Sequence, residues 1–151
     1  MTADPGPIGT ANIGAACAIF DSGGRILLVR HTYGKLNWEI PGGICLPDEA
    51  PSDGAARELQ EETGLHVSGG SLSGVYYERQ HWSGAMVHFV FRFTPPISGR
   101  PAARPPEIGD VGWFALDDLP RPISDFTEQR ARDALGDAVA YRIIDGRDWR
   151  E

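Results

Sequence analysis

A chain of 151 residues with a formal charge of -7 and two cysteines is sized for one core, lacks a disulfide framework, and repels a nucleic-acid backbone at long range. No apolar stretch approaches the length that spans a bilayer, and Met1-Thr-Ala-Asp-Pro-Gly-Pro has no basic region followed by an apolar one. A soluble cytoplasmic protein is therefore expected, with neither a nucleic-acid polymer nor a membrane as partner, and any phosphate-bearing ligand has to be met by a local cation.

In chain order, residues 1–12 mix Pro, Gly and small polar types and read as a flexible lead-in, leaving 13–151 as a single domain. Ile13 to Phe20 and Arg25 to Arg30 are apolar runs around the turn Asp21-Ser-Gly-Gly24, which predicts a β-hairpin of buried strands. His31 to Asn37 is a polar loop ending at Trp38-Glu39-Ile40-Pro41. Pro51 to Thr63 reads as a helix, because Pro51 suits the first helical position and Gly64 the left-handed stop. Strands follow near Ser73 to Gln80 and Met86 to Thr94, joined across His81-Trp-Ser-Gly84. Residues 95–106 hold five prolines and form an exposed loop. Val111 to Ala115 is a short strand, and Asp125 to Leu135 a final amphipathic helix offering Phe126, Ala131, Ala134 and Leu135 to the core. Strands on both sides of one glutamate-rich helix, with a second helix at the end, predict an α/β fold with a mixed sheet packed between helices.

The chemistry concentrates in Gly43 to Leu65. On a helix Glu58 and Glu62 share a face and Glu61 lies on an adjoining line, so the three carboxylates fit an arc of about 100°. Leu59 and Ala56 point to the other side, toward a sheet. Like charges four residues apart destabilise an isolated helix, and a divalent cation relieves that repulsion; oxygen-only ligands favour Mg2+ or Mn2+. Arg57, four residues before Glu61, is placed to orient it. Gly42-Gly43 after Pro41 lets the backbone approach a ligand or metal closely.

Gly43, Glu49, Arg57, Glu58, Leu59, Glu61, Glu62, Gly64 and Leu65 reproduce every specified position of the Nudix box, and the chain resembles the Nudix hydrolases from about Ile13 to Leu135. Average residue frequencies give such a match by chance roughly once in 10^9 to 10^10 start points. The resemblance implies a Nudix-type α/β/α sandwich and hydrolysis of a nucleoside diphosphate linked to another group, with Mg2+ or Mn2+ as cofactor. Carried over position by position, it implies that Glu58 and Glu62 are the main metal ligands, with Glu61 sharing a second ion and the Gly42 carbonyl completing the set. Glu49 and Arg57 would brace the loop and helix. Glu61 and Glu107 are the two candidates for the general base. Relatives often pair as dimers, so a homodimer is an open expectation.

Arg30, His31 and Lys35, just before the cleft segment, are candidates to pair with phosphate oxygens, Trp38 to stack on a base, and Glu39 to accept a hydrogen bond from a base edge. Tyr33, Tyr76, Tyr77 and Trp82 are further aromatic candidates. Some ADP-ribose-cleaving relatives carry a proline part-way into the region after the box, whereas here the first proline after Leu65 is Pro95. That absence leans toward a nucleoside triphosphate or a broad substrate range. The alternative is a non-catalytic Nudix-fold module that senses a nucleotide or nucleotide sugar.

Overall fold

A computed structural model describes residues 3–151. Residues 1 and 2 of the expected lead-in lie outside the described residues, and the chain enters its first element at Asn12. The elements are β1 (Asn12–Ile19), β2 (Ile26–His31), β3 (Trp38–Glu39), β4 (Gly42–Ile44), α1 (Pro51–Thr63), β5 (Ser71–His81), β6 (Gly84–Phe93), β7 (Ile108–Phe114), β8 (Ile123–Ser124), α2 (Asp125–Asp133), β9 (Ala140–Ile144) and β10 (Trp149–Arg150). They form two mixed sheets, ordered β4-β1-β6-β5-β9 and β10-β8-β3-β2-β7. The α/β class is as expected, but two sheets stand where a single one was pictured.

The apolar runs of β1 and β2 do not form a hairpin. β1 is antiparallel to β4 on one edge and parallel to β6 on the other. With both edges occupied it has no room for β2, which pairs with β3 and β7 in the second sheet. Only the bridge Phe20↔Ile26 links the two runs across the turn. Both strands are continuously apolar because both faces are covered. Ala16, Ala18 and Phe20 join Ile26, Leu28, Trp38, Tyr76, Val90 and Phe126 between the sheets. Ala15, Cys17 and Ile19 pack instead with Leu27 and with Ala55 and Leu59 of α1.

α1 begins at Pro51 and ends at Gly64, whose φ of 79° is the left-handed stop. α2 is shorter than expected. Ser124 caps it by accepting from the Thr127 N–H, and Ala134 closes it, after which Leu135 N and Gly136 N donate to the carbonyls of Arg132 and Asp133. That tightening swings Leu135 off the apolar face, leaving it 52% exposed rather than in the core. β9 and β10 were not anticipated; they return the C-terminus to one edge of the first sheet and one edge of the second. Among the described residues no helix is long and apolar enough to cross a membrane.

Candidate active site

The packing of α1 sets the direction of its glutamates. Ala55 and Leu59 are fully buried, so the helix cannot roll without exposing them. That orientation buries Glu62 to 5% exposure and turns it toward β4, where the Gly42 N–H donates to its Oε1 at 3.0 Å. Its Oε2 is buried and has no hydrogen-bond partner among the described residues. Burial pushes the Glu62 carboxyl up to about 9; the nearby charges of Glu58, Glu39 and Glu107 add to the rise, and the Gly42 N–H opposes it. Glu58 lies one turn away, flush against the backbone of β4: a Cβ added at Gly43 would come within 2.6 Å of its Oε1. Its carboxyl is also raised, by burial first, with Arg57 pulling the other way.

Arg57 ties the loop to the helix. Its Nε and Nη2 donate to the two oxygens of Glu49 at 2.8 and 2.9 Å, and Nη1 donates to Glu58 at 3.0 Å and to Glu61 at 3.2 Å. Glu49 also accepts from the Leu46 N–H at 3.0 Å. The Arg57 hydrogen bonds, helped by that N–H, hold the Glu49 carboxyl at about 2. Glu61 differs from its two neighbours. Its side chain is 58% exposed and paired with Arg57, and among the described residues no three acidic, His or Cys side chains converge as a ready-made metal-binding group.

The proline-rich loop returns to this helix. Ala102 N donates to Thr63 O at 3.0 Å and Arg104 N to Glu62 O at 3.1 Å, while Thr32 N and its hydroxyl donate to the Glu107 carbonyl. Glu107 is thereby carried to the rim of a cleft of about 390 Å3 whose walls also include Glu58, Glu62, Gly42 and Gly43. A cleft of this size suits a small molecule.

The remaining expected contacts divide. His31 and Glu39 line the same cleft. His31 stacks on Tyr33 with ring centroids 4.7 Å apart, and burial lowers its pKa. Trp38 does not line the cleft; it is 7% exposed in the core and meets Phe114 edge-on at 4.9 Å. Lys35 points away as well, with its Nζ 3.8 Å from Glu151 and 5.2 Å from the Trp149 ring. Of the other aromatics, Tyr33 and Trp82 line the cleft, whereas Tyr76 is fully buried and donates to Asp133.

On the α2 side the cleft is lined by two arginines that the sequence did not single out, Arg130 and Arg147, each paired with a carboxylate. Arg130 of α2 donates to Glu39, which also accepts from Ile40 N and the Thr127 hydroxyl at 2.9 and 2.8 Å. Arg147, between β9 and β10, makes a two-pronged bond to Glu78 at 2.8 and 2.9 Å, and His88 Nε2 donates to the same carboxylate at 2.9 Å. Both guanidiniums lie over the Phe126 ring, 4.0 and 4.8 Å from its centroid. Burial alone would raise both acids, but Arg130 and Arg147 hold Glu39 low, and His88 and Arg147 hold Glu78 low. One signal was available: Arg130 lies four residues after Phe126, on the helix face that also buries Ala131.

Comparison with known proteins adds to this geometry. Residues 10–134 match the NUDIX domain family. A MutT-like protein of Streptomyces ambofaciens is 33% identical over 90% of this chain and 85% of its own length. An ADP-ribose pyrophosphatase of Mycobacterium tuberculosis is 32% identical over 72% of this chain and 55% of its own length. The crystal structure of a MutT NUDIX hydrolase from Burkholderia pseudomallei superposes with a TM-score of 0.73 at 29% identity, covering 83% of this chain and 98% of that one.

Proposed function

The chain belongs to the Nudix hydrolase family, and from that premise we propose that it hydrolyses a small nucleoside diphosphate linked to another group, with Mg2+ or Mn2+ bound at the β4–α1 junction. The observation that carries the metal assignment is the orphaned Oε2 of Glu62, a buried carboxylate oxygen beside a second carboxylate that lies against Gly43. Ionising a buried carboxyl without a partner is costly unless a cation takes the place of its proton. Hard oxygen donors of this kind suit Mg2+ or Mn2+.

Glu58 and Glu62 would hold the ion, with the Gly42 carbonyl completing the set and Glu61 available to a second ion once it leaves Arg57. When bound, such an ion supplies charge that draws density from the bridging phosphates and eases loss of a proton from the attacking water. Glu49 and Arg57 hold the loop before α1 against the helix, so the carboxylates keep their positions while substrate exchanges. Glu107 is our choice as general base. It stands on the cleft rim, fixed through its backbone by Thr32, and its carboxylate is free of any hydrogen bond or ion pair to a cation among the described residues, whereas Glu61 is engaged by Arg57. His31 is placed to meet a phosphate oxygen, and Glu39 to accept from a base edge.

The test is a panel of nucleoside triphosphates, ADP-ribose, dinucleoside polyphosphates and nucleotide sugars, assayed for phosphate and pyrophosphate release with Mg2+ and with Mn2+. Turnover of at least one compound that vanishes in chelator is the expected result. Turnover indifferent to chelator would remove the metal from the reading.

A further inference from the structure

The outer face of the first sheet is apolar where it meets water, and we infer that a second copy of this chain packs on it, face to face about a twofold axis. The strand registers line up one row of side chains across four strands: Ile13 of β1 beside Val87 of β6, Val87 beside Tyr77 of β5, and Tyr77 beside Ile143 of β9. Val75 and Tyr141 stand in the next row on β5 and β9. Residues paired across neighbouring strands, and residues two apart along one strand, share a face. Contacts on either side identify which face this is. Ile13 lies two residues before Ala15, which packs with Ala55 and Leu59 of α1. Arg142, between Tyr141 and Ile143, turns the other way to bond Asp133 of α2. α1 therefore roofs this face over β1, and among the described residues none from β5 or β9 joins the apolar cluster beneath it.

A sheet with one wet face ordinarily turns polar side chains toward the water. Here Ile13, Ile143 and Tyr141 are 41%, 48% and 69% exposed, and Val75, Tyr77 and Val87 are half-buried yet belong to neither core cluster. Charge selects what covers them. At the margin Arg79 and Asp145 pair at 3.0 Å and neutralise each other, so the face is uncharged on a chain whose formal charge is -7. An anionic membrane would be repelled by that excess acid before it met the apolar rows. A second copy brings the same uncharged surface, and a twofold axis makes any patch its own complement, because residue i meets j while j meets i. Two such sheets pack about 10 Å apart with their side chains interleaved. Four strands about 4.8 Å apart, over about six residues rising 3.3 Å each, give a footprint of roughly 400 Å2. With side-chain relief this approaches the roughly 600 Å2 per partner found at the lower end of stable interfaces, so the pair is reversible, with micromolar affinity. Met86 and His88, which line the cleft, flank Val87 along β6 and point to the opposite face, so pairing leaves the cleft open.

Sedimentation equilibrium of the wild-type chain, from low to several hundred micromolar, tests the assignment without any turnover. The mass is expected to rise with concentration from that of one chain to that of two. Ile143→Lys and Tyr141→Lys each set like charges inside the contact and should weaken association about tenfold or more. Leu36→Lys, as exposed as Ile143 but in the loop between β2 and β3, should leave it unchanged. All three positions face solvent in the single chain, so melting curves should show folded variants. A mass of one chain at every concentration overturns the inference, including the case in which the protein sediments with anionic vesicles instead. Pairing that survives both lysine substitutions in folded protein overturns the choice of face. Hydrolysis of the substrate panel is a separate readout, so a chain that pairs but turns over nothing would sink the proposed reaction and leave this inference standing.

Discussion

The two ends of the cleft bury carboxylates to similar depths and treat them in opposite ways. On the α2 side, Glu39 and Glu78 each have a guanidinium in contact and are held below the ordinary carboxylate range. At the β4–α1 junction, Glu62 is buried with a single backbone N–H, and its carboxyl rises to about 9. Burial acts in the same direction on all three, so the difference is the presence or absence of a fixed cation. A buried acid that carries its own arginine is a finished structural unit, able to present its spare oxygen to a ligand. A buried acid without one is built for a cation that comes from solution.

The sharpest way to break this contrast is Glu62→Gln. It keeps the shape and removes the charge, so turnover with Mg2+ is expected to fall by about 10^3, the scale on which transition-state charge stabilisation is lost. Metal-free stability at neutral pH should rise, since the unfolded Glu62 is ionised there while the buried native carboxyl keeps its proton, and glutamine removes that cost. Activity within a few-fold of wild type would mean that the unpartnered oxygen has no part in catalysis.

The α2 side should respond in the reverse sense. Arg130→Met leaves Glu39 buried with only neutral donors and a distant Arg147, and breaking such a pair is expected to cost about 3 kcal/mol in urea unfolding. A variant as stable as wild type would show that Glu39 can be neutralised as easily as Glu62, and the two ends would no longer differ in kind.

The two ends also differed in how readily they could be read from sequence. Glu58, Glu61, Glu62 and Arg57 lie within one and a half turns of a helix bounded by Pro51 and Gly64, so local spacing alone placed them on a common arc. Even there, spacing did not separate the buried Glu62 from the exposed Glu61, because that depends on how Leu59 docks against β1. The α2 side pairs Arg130 with Glu39 across 91 positions and Arg147 with Glu78 across 69, and no periodicity links residues so far apart. Trp38, a stacking candidate on sequence, belongs to the core for a related reason. It sits in a strand of two residues, too short to show an alternation, and its pairing with Arg30 on one side and Ile123 on the other turns the ring into the core. The supposed hairpin failed because local sequence records a strand and a turn but not which neighbours occupy the strand's edges.

A pH series sharpens the comparison within one molecule. Above its ordinary value of 4.5 the unfolded Glu62 is ionised, while the native group keeps its proton up to about 9. The native state therefore binds more protons in that window, and metal-free stability should decline as pH rises through it. Glu39 and Glu78 have the opposite sign: their contribution is present above 4.5 and is lost as the pH falls through their lowered native values. Urea unfolding in chelator should show both limbs. Saturating Mg2+, or Glu62→Gln, should flatten the upper limb and leave the acid limb untouched. An upper limb that persists in Glu62→Gln would assign it to other groups.

The smallest expected effect concerns a cation that belongs to neither end. Lys35 is half exposed, with Glu151 at 3.8 Å and itself 75% exposed, so water and side-chain motion weaken the pair. Exposed pairs of this kind contribute at most about 1 kcal/mol and often nothing. Lys35→Ala should therefore shift stability by less than about 0.5 kcal/mol, and kcat/KM should change by less than about twofold, because its ammonium lies over Trp149 rather than in the cleft. His31→Ala, at the end of β2 just before the loop that carries Lys35 and lining the cleft, is the matched control and should raise KM more than Lys35→Ala does. A tenfold loss from Lys35→Ala would mean that the His31 to Asn37 loop swings inward when substrate binds. The acidic end would then borrow its cation from the chain as well as from solution.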